Sequence, residues 1–297
     1  MTSTIATIAG LIWNHPANKR RRLRALGYST AWQLYKRTIG RPVDLRAFGN
    51  LKFRCYPDSH EASRLIYFSG LPDPTEMIFL ERYLRPGDRA IDAGANIGLY
   101  SLYLASLVGP DGHVLAFEPD QGSAGRLREN VAINRLNNVT VRVAAVSDFA
   151  GTADFTTGVD TANCFSDLKE FGEERQRVDV VTLDSEIREH CAVCKMDVEG
   201  AEPAALRGAQ RLLAEANPPV WLLELTDRTL KRSGSSVEAL RHWLLERGYR
   251  LWEYDAGANS LSDWEPRPRR AGFVGDAIAI ANSELENVRK RLTTASS

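Results

Sequence analysis

Between Asp92 and Gly98 the chain reads Asp-Ala-Gly-Ala-Asn-Ile-Gly, directly before an apolar run that predicts a helix. Gly94 lacks a side chain, so a ligand can approach its backbone closely. Gly98 permits a tight turn or close helix packing. The amides that open the following helix can donate to an anionic group. Asp92 adds a negative charge suited to a cationic or hydroxylated ligand. The next apolar run ends in Glu118-Pro119, where a carboxylate can accept from both hydroxyls of a ribose. Asp92, Gly94, Gly98 and Glu118 together describe a site for a nucleoside.

A second constellation lies downstream, at Lys195-Met-Asp197-Val-Glu199-Gly200-Ala-Glu202. Period-two geometry puts Lys195, Asp197 and Glu199 on one face of an extended segment. Another apolar run ends in Glu224. Carboxylates converging on one rim can orient a hydroxyl, take its proton or hold a divalent cation. Lys195 can pair with one of them or steady developing oxyanion charge. Glu202 fits the start of the next helix, where its charge suits the macrodipole.

The glycine spacing separates two nucleoside ligands. The fingerprint for NAD is G-x-G-x-x-G, which brings backbone against a pyrophosphate. Here Gly94 and Gly98 are separated by three residues and follow an Asp. That arrangement suits a ligand with an amino-acid group and no pyrophosphate. S-adenosylmethionine carries an ammonium, a carboxylate and a ribose, and fits better than NAD.

These residues need rigid elements to hold them. From about Thr75 the sequence alternates predicted helices (76–84, 99–108, 123–134, 202–214, 237–247) with predicted strands (89–92, 114–118, 139–146, 193–198, 220–225, 250–254, 277–281). Such alternation implies an α/β fold, a mostly parallel sheet covered by helices on both faces. Ligands of such sheets bind outside the carboxyl ends of the strands, where all the residues named above fall. Residues 151–157 and 178–183 read as accessory strands. The polar stretch 158–176 interrupts the rhythm and reads as a lid over the acceptor. The charged tail after Asn282 is expected to fray.

With 43% hydrophobic residues the chain can bury a sizeable core, and its formal charge of zero disfavours a globally basic nucleic-acid binder. No apolar run reaches the roughly 20 residues of a bilayer span, and no export signal is recognisable, so a cytoplasmic location is expected. Residues 1–74 predict a helical N-terminal extension, with Leu23, Leu26, Trp32 and Tyr35 on the apolar side of two short helices broken near Gly27. Its basic run Lys19–Arg24 suits a solvated face, an anionic membrane surface, a phosphate-bearing substrate or nucleic acid. Cys191 and Cys194 have the spacing of a redox or zinc half-site. A strand would point their sulfurs apart, and no second pair completes a zinc site.

The segments Asp92-Ala-Gly-Ala-Asn-Ile-Gly-Leu-Tyr-Ser101, Phe117-Glu-Pro119, Val181-Thr-Leu-Asp184 and Lys195-Met-Asp-Val-Glu-Gly-Ala-Glu202 resemble, in order and spacing, the FkbM family of methyltransferases. The resemblance covers roughly residues 75–283. It implies a class I methyltransferase fold, a seven-stranded Rossmann-like sheet whose antiparallel strand would be 277–281. It implies S-adenosylmethionine as methyl donor and hydroxyls of sugars, glycolipids or natural products as acceptors. The family's cofactor loop falls on Asp92, Gly94, Asn96 and Gly98, its ribose-binding acid on Glu118, and its acidic segment on Asp197, Glu199 and Gly200, with Glu224 at the next strand end.

The chemistry expected is in-line methyl transfer to a substrate oxygen. Asp197 is the first candidate to accept the hydroxyl proton or to hold a metal that lowers its pKa, with Glu199 and Glu224 behind it. His113, His190 and His242 qualify by chemistry but not by place. Competing readings are a nucleic-acid methyltransferase using Lys19–Arg24, a non-catalytic cofactor-binding module and an NAD-dependent oxidoreductase.

Overall fold

The computed structural model describes residues 2–156, 175–215, 218–265 and 276–294, grouped into two compact units, Met1–Met77 and Ile78–Ser297. Most of the predicted lid, residues 158–174, lies outside the described residues.

The first unit contains α1 (Thr2–Asn14), α2 (Arg22–Thr38), the strands β1 (Val43–Ala47) and β2 (Leu51–Cys55), and α3 (His60–Tyr67). A further helix, α4 (Pro74–Tyr83), leads out of it. The unit is therefore not wholly helical. β1 and β2 pair antiparallel, Val43 opposite Cys55, as their alternation of apolar and charged residues favours. α2 runs unbroken through Gly27 and buries Ala25, Ser29 and Trp32, whereas Leu23 faces solvent. The apolar side expected from Leu23 is thus corrected: spacing of four and three residues puts Ala25, Ser29 and Trp32 on one stripe, where Trp32 Nε1 donates to Ser63 Oγ of α3 at 3.1 Å. The buried Asn18 side chain donates to the carbonyls of Ile12 and Tyr67, each at 2.8 Å.

The second unit follows the predicted alternation. Its elements are β3 (Arg89–Ala93), α5 (Leu99–Val108), β4 (His113–Phe117), α6 (Gln121–Ile133), β5 (Val139–Arg142), β6 (Ala145–Val146), β7 (Gly151–Thr156), β8 (Arg175–Val181), α7 (Leu183–Glu186), β9 (Val193–Met196), α8 (Glu202–Arg207), α9 (Gln210–Leu213), β10 (Val220–Leu223), α10 (Asp227–Leu230), α11 (Val237–Leu245), β11 (Tyr249–Asp255), β12 (Ser260–Asp263), β13 (Ala277–Ala281) and α12 (Leu285–Thr293). The main sheet has the order β12-β11-β13-β10-β9-β3-β4-β5. β5, β4, β3, β9 and β10 are mutually parallel. β13 runs antiparallel between β10 and β11.

The sheet has eight strands rather than the seven expected, because β12 pairs antiparallel with β11 at the edge. The predicted third strand, 139–146, divides in two. β5 stays in the main sheet, while β6 joins β7 and β8 in a separate three-stranded sheet. The predicted helix 202–214 is also interrupted. A Cβ on Gly208 would lie 1.9 Å from the Ser147 carbonyl oxygen, so the chain makes this close approach only without a side chain. Asp184 then caps α9, accepting from the amides of Arg211 at 2.8 Å and Leu212 at 3.1 Å. The tail does not fray before Thr293. α12 buries Val288 and Leu292, and Arg291 pairs with Asp88. Its apolar residues at four-residue spacing outweigh its charge.

Candidate functional site

β3 is central, between β9 and β4, so its carboxyl end opens at the middle of the sheet's rim. Asp92 and Lys195 are direct neighbours across the β3–β9 pair. Asp92 is fully buried below the rim, with Oδ2 accepting from Ser101 Oγ at 2.6 Å. Oδ1 is a buried acceptor without a hydrogen-bond partner. Burial pushes the Asp92 carboxyl above its ordinary range, although Lys195 and Ser101 pull against it. An ammonium donor would satisfy the orphaned oxygen and favour the ionised form.

The loop after β3 is shaped by backbone packing. Gly94 has φ +83°, and a Cβ there would lie 1.8 Å from the carbonyl oxygen of Asp197. The missing side chain at this position thus makes room for the segment after β9, a requirement that the sequence reading did not include. This contact locks the two halves of the rim together. Gly94→Ala is expected to cost more than about 2 kcal/mol, since strain at positive φ adds to a backbone clash. Urea denaturation checks this, and an unchanged midpoint would contradict it. Asn96 takes positive φ, 47°, which asparagine tolerates, and its side-chain oxygen accepts from the Ile97 amide at 2.7 Å. Gly98 is the N-cap of α5 and offers no side chain to the first-turn amides, which leaves that end suited to a carboxylate.

Glu118 stands just past β4 and is 7% exposed. Its Oε2 accepts from the Asn96 amide and its Oε1 from the Asp120 amide, each at 2.8 Å. These bonds fix the carboxylate against the loop. Each oxygen keeps a further lone pair, so two hydroxyl donors can still be received. Burial pushes Glu118 up to about 8 despite the two amides. Gln176 of β8 reaches the same rim, its side-chain nitrogen 3.3 Å from the Pro119 carbonyl.

The acidic half gathers after β9 and β10. Lys195 Nζ lies 3.1 Å from Asp197 Oδ2 and 4.7 Å from the centre of the Tyr100 ring. Burial works against the Lys195 charge, but Asp197, Asp92 and Glu224 outweigh it, so the ammonium is held above the ordinary lysine range. Carboxylate oxygens of Asp197, Glu199 and Glu224 lie within 4.8 Å of one another. Asp197, reinforced by burial and by a hydrogen bond between the two groups, drives Glu224 strongly toward the protonated form. The cause is like-charge repulsion between two adjacent carboxylates, which favours protonation of one of them.

Glu199 reaches this group differently from the expected alternation. β9 ends at Met196, and Glu199 sits in the following turn with φ 53°, strain that the surrounding structure must hold in place. Burial, Asp197 and Glu202 raise it to about 8.

Glu202 supports the turn from below, its Oε1 accepting from the Val198 and Gly200 amides, each at 3.2 Å. Burial raises Glu202 to about 7. A raised carboxylate stabilises the fold fully below its unfolded pKa and loses that contribution as pH rises through the folded value. Glu202→Gln keeps an amide-accepting oxygen without the charge. Its urea midpoint relative to the parent is therefore expected to rise between pH 5 and pH 8, and a constant difference would contradict this.

The histidines fall elsewhere. His113 opens β4 at the end opposite the rim, His190 precedes β9, and His242 lies on α11 beside Glu246. Cys191 precedes β9 and Cys194 lies within it. Both are buried free thiols in one apolar cluster, and burial pushes Cys191 up to about 12. Tyr100 and Ser101 were not expected as participants. Their signal was position alone, in the first turn after the glycine loop.

The parallel sheet with one reversed strand inserted before its last parallel member, a glycine loop after the central strand and an acid after the next defines the class I methyltransferase fold. The family model described as the methyltransferase FkbM domain matches residues 92–251, more than half of the chain, and the chain belongs to that family. It is 44% identical over 73 residues to 31-O-demethyl-FK506 methyltransferase FkbM of Streptomyces tacrolimicus, covering 25% of this chain and 27% of that protein. It is 34% identical over 110 residues to methyltransferase sdnD of Sordaria araneosa, covering 34% and 42%. Both matches thus span less than half of the relative. A crystal structure of methyltransferase FkbM from Methylobacillus flagellatus KT is similar with a TM-score of 0.43 and 18% identity, over 75% of this chain and 55% of that one.

Proposed function

We propose that this protein is an S-adenosylmethionine-dependent O-methyltransferase acting on a hydroxyl of a natural product, saccharide or glycolipid. The observation that carries the cofactor assignment is Glu118, a buried carboxylate held by two loop amides with lone pairs to spare. S-adenosylmethionine supplies an electrophilic methyl on a sulfonium. The chain would bind its ribose through Glu118, its ammonium through Asp92 and its carboxylate through the opening amides of α5. Asp197, held by Lys195 and facing Glu224, which is driven toward the protonated form, is the base for the acceptor hydroxyl. Lys195 limits the charge that builds up in the group. The sequence similarity to a natural-product methyltransferase supports an acceptor of that kind. Incubation with methyl-labelled cofactor and a panel of polyketide, saccharide and glycolipid alcohols tests this. Label in an ether product supports it, and label only on nitrogen or sulfur contradicts it.

The Asp197, Glu199 and Glu224 group favours a second reading, a divalent cation bound by the three carboxylates. EDTA separates the two. Activity that survives chelation matches proton acceptance by Asp197. Activity lost to EDTA and restored by Mg²⁺ or Mn²⁺ selects the cation.

A further inference from the structure

The formal charge of zero hides a division. Residues 1–77 carry twelve Lys and Arg against five Asp and Glu, a net of +7, and the remainder carries the compensating −7. The asymmetry is steepest at the start: eight Lys and Arg and no acid precede Asp44. The same stretch holds most of the large apolar side chains that face solvent among the described residues, namely Ile8, Leu11, Trp13, Leu23, Tyr28, Leu34 and Ile39, whereas the described residues of the second unit add Phe149 and Leu245.

The two kinds of residue are interleaved. Leu23 and Leu34 of α2, 77% and 62% exposed, are eleven residues apart and so lie about 20° apart around a helix of 3.6 residues per turn. Arg37 falls about 40° from Leu23 and about 60° from Leu34 on the same reckoning. Lys19, Arg20, Arg21 and Arg24 are exposed around the start of this helix. The guanidinium of Arg22 lies 5.2 Å from the centre of the Trp13 ring, and that of Arg24 5.1 Å from the Tyr28 ring. α1 carries no charged side chain and exposes Leu11, 60% accessible.

We infer that this face of the first unit docks on an anionic lipid bilayer, lying in the interface rather than crossing it. Basic residues meet the headgroup charge, amphipathic aromatics sit at headgroup level, and aliphatic side chains enter the acyl boundary. No described helix is long and apolar enough to span a membrane. Phosphates of a nucleic acid would match the charge equally well. They would gain nothing from solvent-facing Leu11, Leu23 and Leu34, and these aliphatics decide for lipid. The inference is independent of the methyl-transfer reading.

The test is co-sedimentation of the full chain with vesicles of phosphatidylcholine alone, or with phosphatidylglycerol added. Binding is expected only to the anionic vesicles and to weaken with salt. Replacing Arg20, Arg21 and Arg24 by Gln should lower the partition coefficient about a hundredfold. Leu23→Ser with Leu34→Ser should remove the binding that survives high salt. All five side chains are exposed, so the folded state tolerates the changes. In the parent protein, lipids brominated on the acyl chain should quench tryptophan emission, and Trp13→Phe should reduce that quenching. Equal binding to both vesicle types, or unaltered binding of both variants, would overturn the inference. So would an RNA duplex that displaces the vesicles and binds the leucine variant as tightly as the parent.

Discussion

Asp197→Asn is expected to lower turnover about 10²–10⁴-fold, the usual worth of a positioned general base, while S-adenosylhomocysteine binding stays within a few-fold of the parent. Asn keeps the shape of the side chain but cannot accept the hydroxyl proton. The loss should appear in kcat rather than in cofactor affinity, because Asp197 lies in the acidic half of the rim, away from Glu118. Its neighbour provides the contrast. Glu224 is already held toward the protonated form by Asp197, so Glu224→Gln imitates its working state and should cost far less. Steady-state kinetics with any acceptor that the parent methylates checks both. Equal losses in the two variants would remove Asp197 from its distinct role. A collapse of cofactor binding in Asp197→Asn would show that the side chain organises the rim instead, through its ion pair with Lys195, the cross-strand neighbour of Asp92.

Glu118→Ala is expected to weaken cofactor binding by about 2–4 kcal/mol, two hydrogen bonds to a charged acceptor, or about 30- to 1000-fold in Kd. The structure adds a second consequence. Removing the carboxylate also leaves the Asn96 and Asp120 amides without their acceptor, so the melting temperature should fall as well. The two effects are separable, because affinity is measured on the fraction that remains folded. A lower melting temperature with an unchanged Kd would mean that Glu118 only braces the loop.

The parts of this site that alternation and strand ends control were legible in the sequence. Asp92, Gly94, Gly98 and Glu118 each close or follow a strand whose apolar run is uninterrupted, and β3, β4, β9 and β10 stand where those runs place them. Features decided by contacts between distant segments were not legible. Gly94 is glycine because the Asp197 backbone passes beside it, and Gly208 because Ser147 does. Neither contact has a local signal.

Ser101 and Tyr100 escaped notice because α5 is buried along most of its length, so its polar residues break no amphipathic pattern. Glu199 reached the acidic group through a strained turn, where period-two reasoning had assumed a strand. The β1–β2 hairpin did carry a signal, the alternation Val-Asp-Leu-Arg-Ala and Leu-Lys-Phe-Arg-Cys around Gly49-Asn50. The basic helical run before it carries the stronger periodicity and masks that alternation.

In the proposed function the rim between Asp92 and Glu118 holds the nucleoside and amino-acid groups of S-adenosylmethionine. Titration calorimetry of the full chain with S-adenosylhomocysteine and, separately, with NAD tests it most directly. One saturable site for S-adenosylhomocysteine, weakened in Glu118→Ala, is expected, with no heat of binding for NAD. Saturable NAD binding, or no binding of S-adenosylhomocysteine by the folded protein, would contradict it.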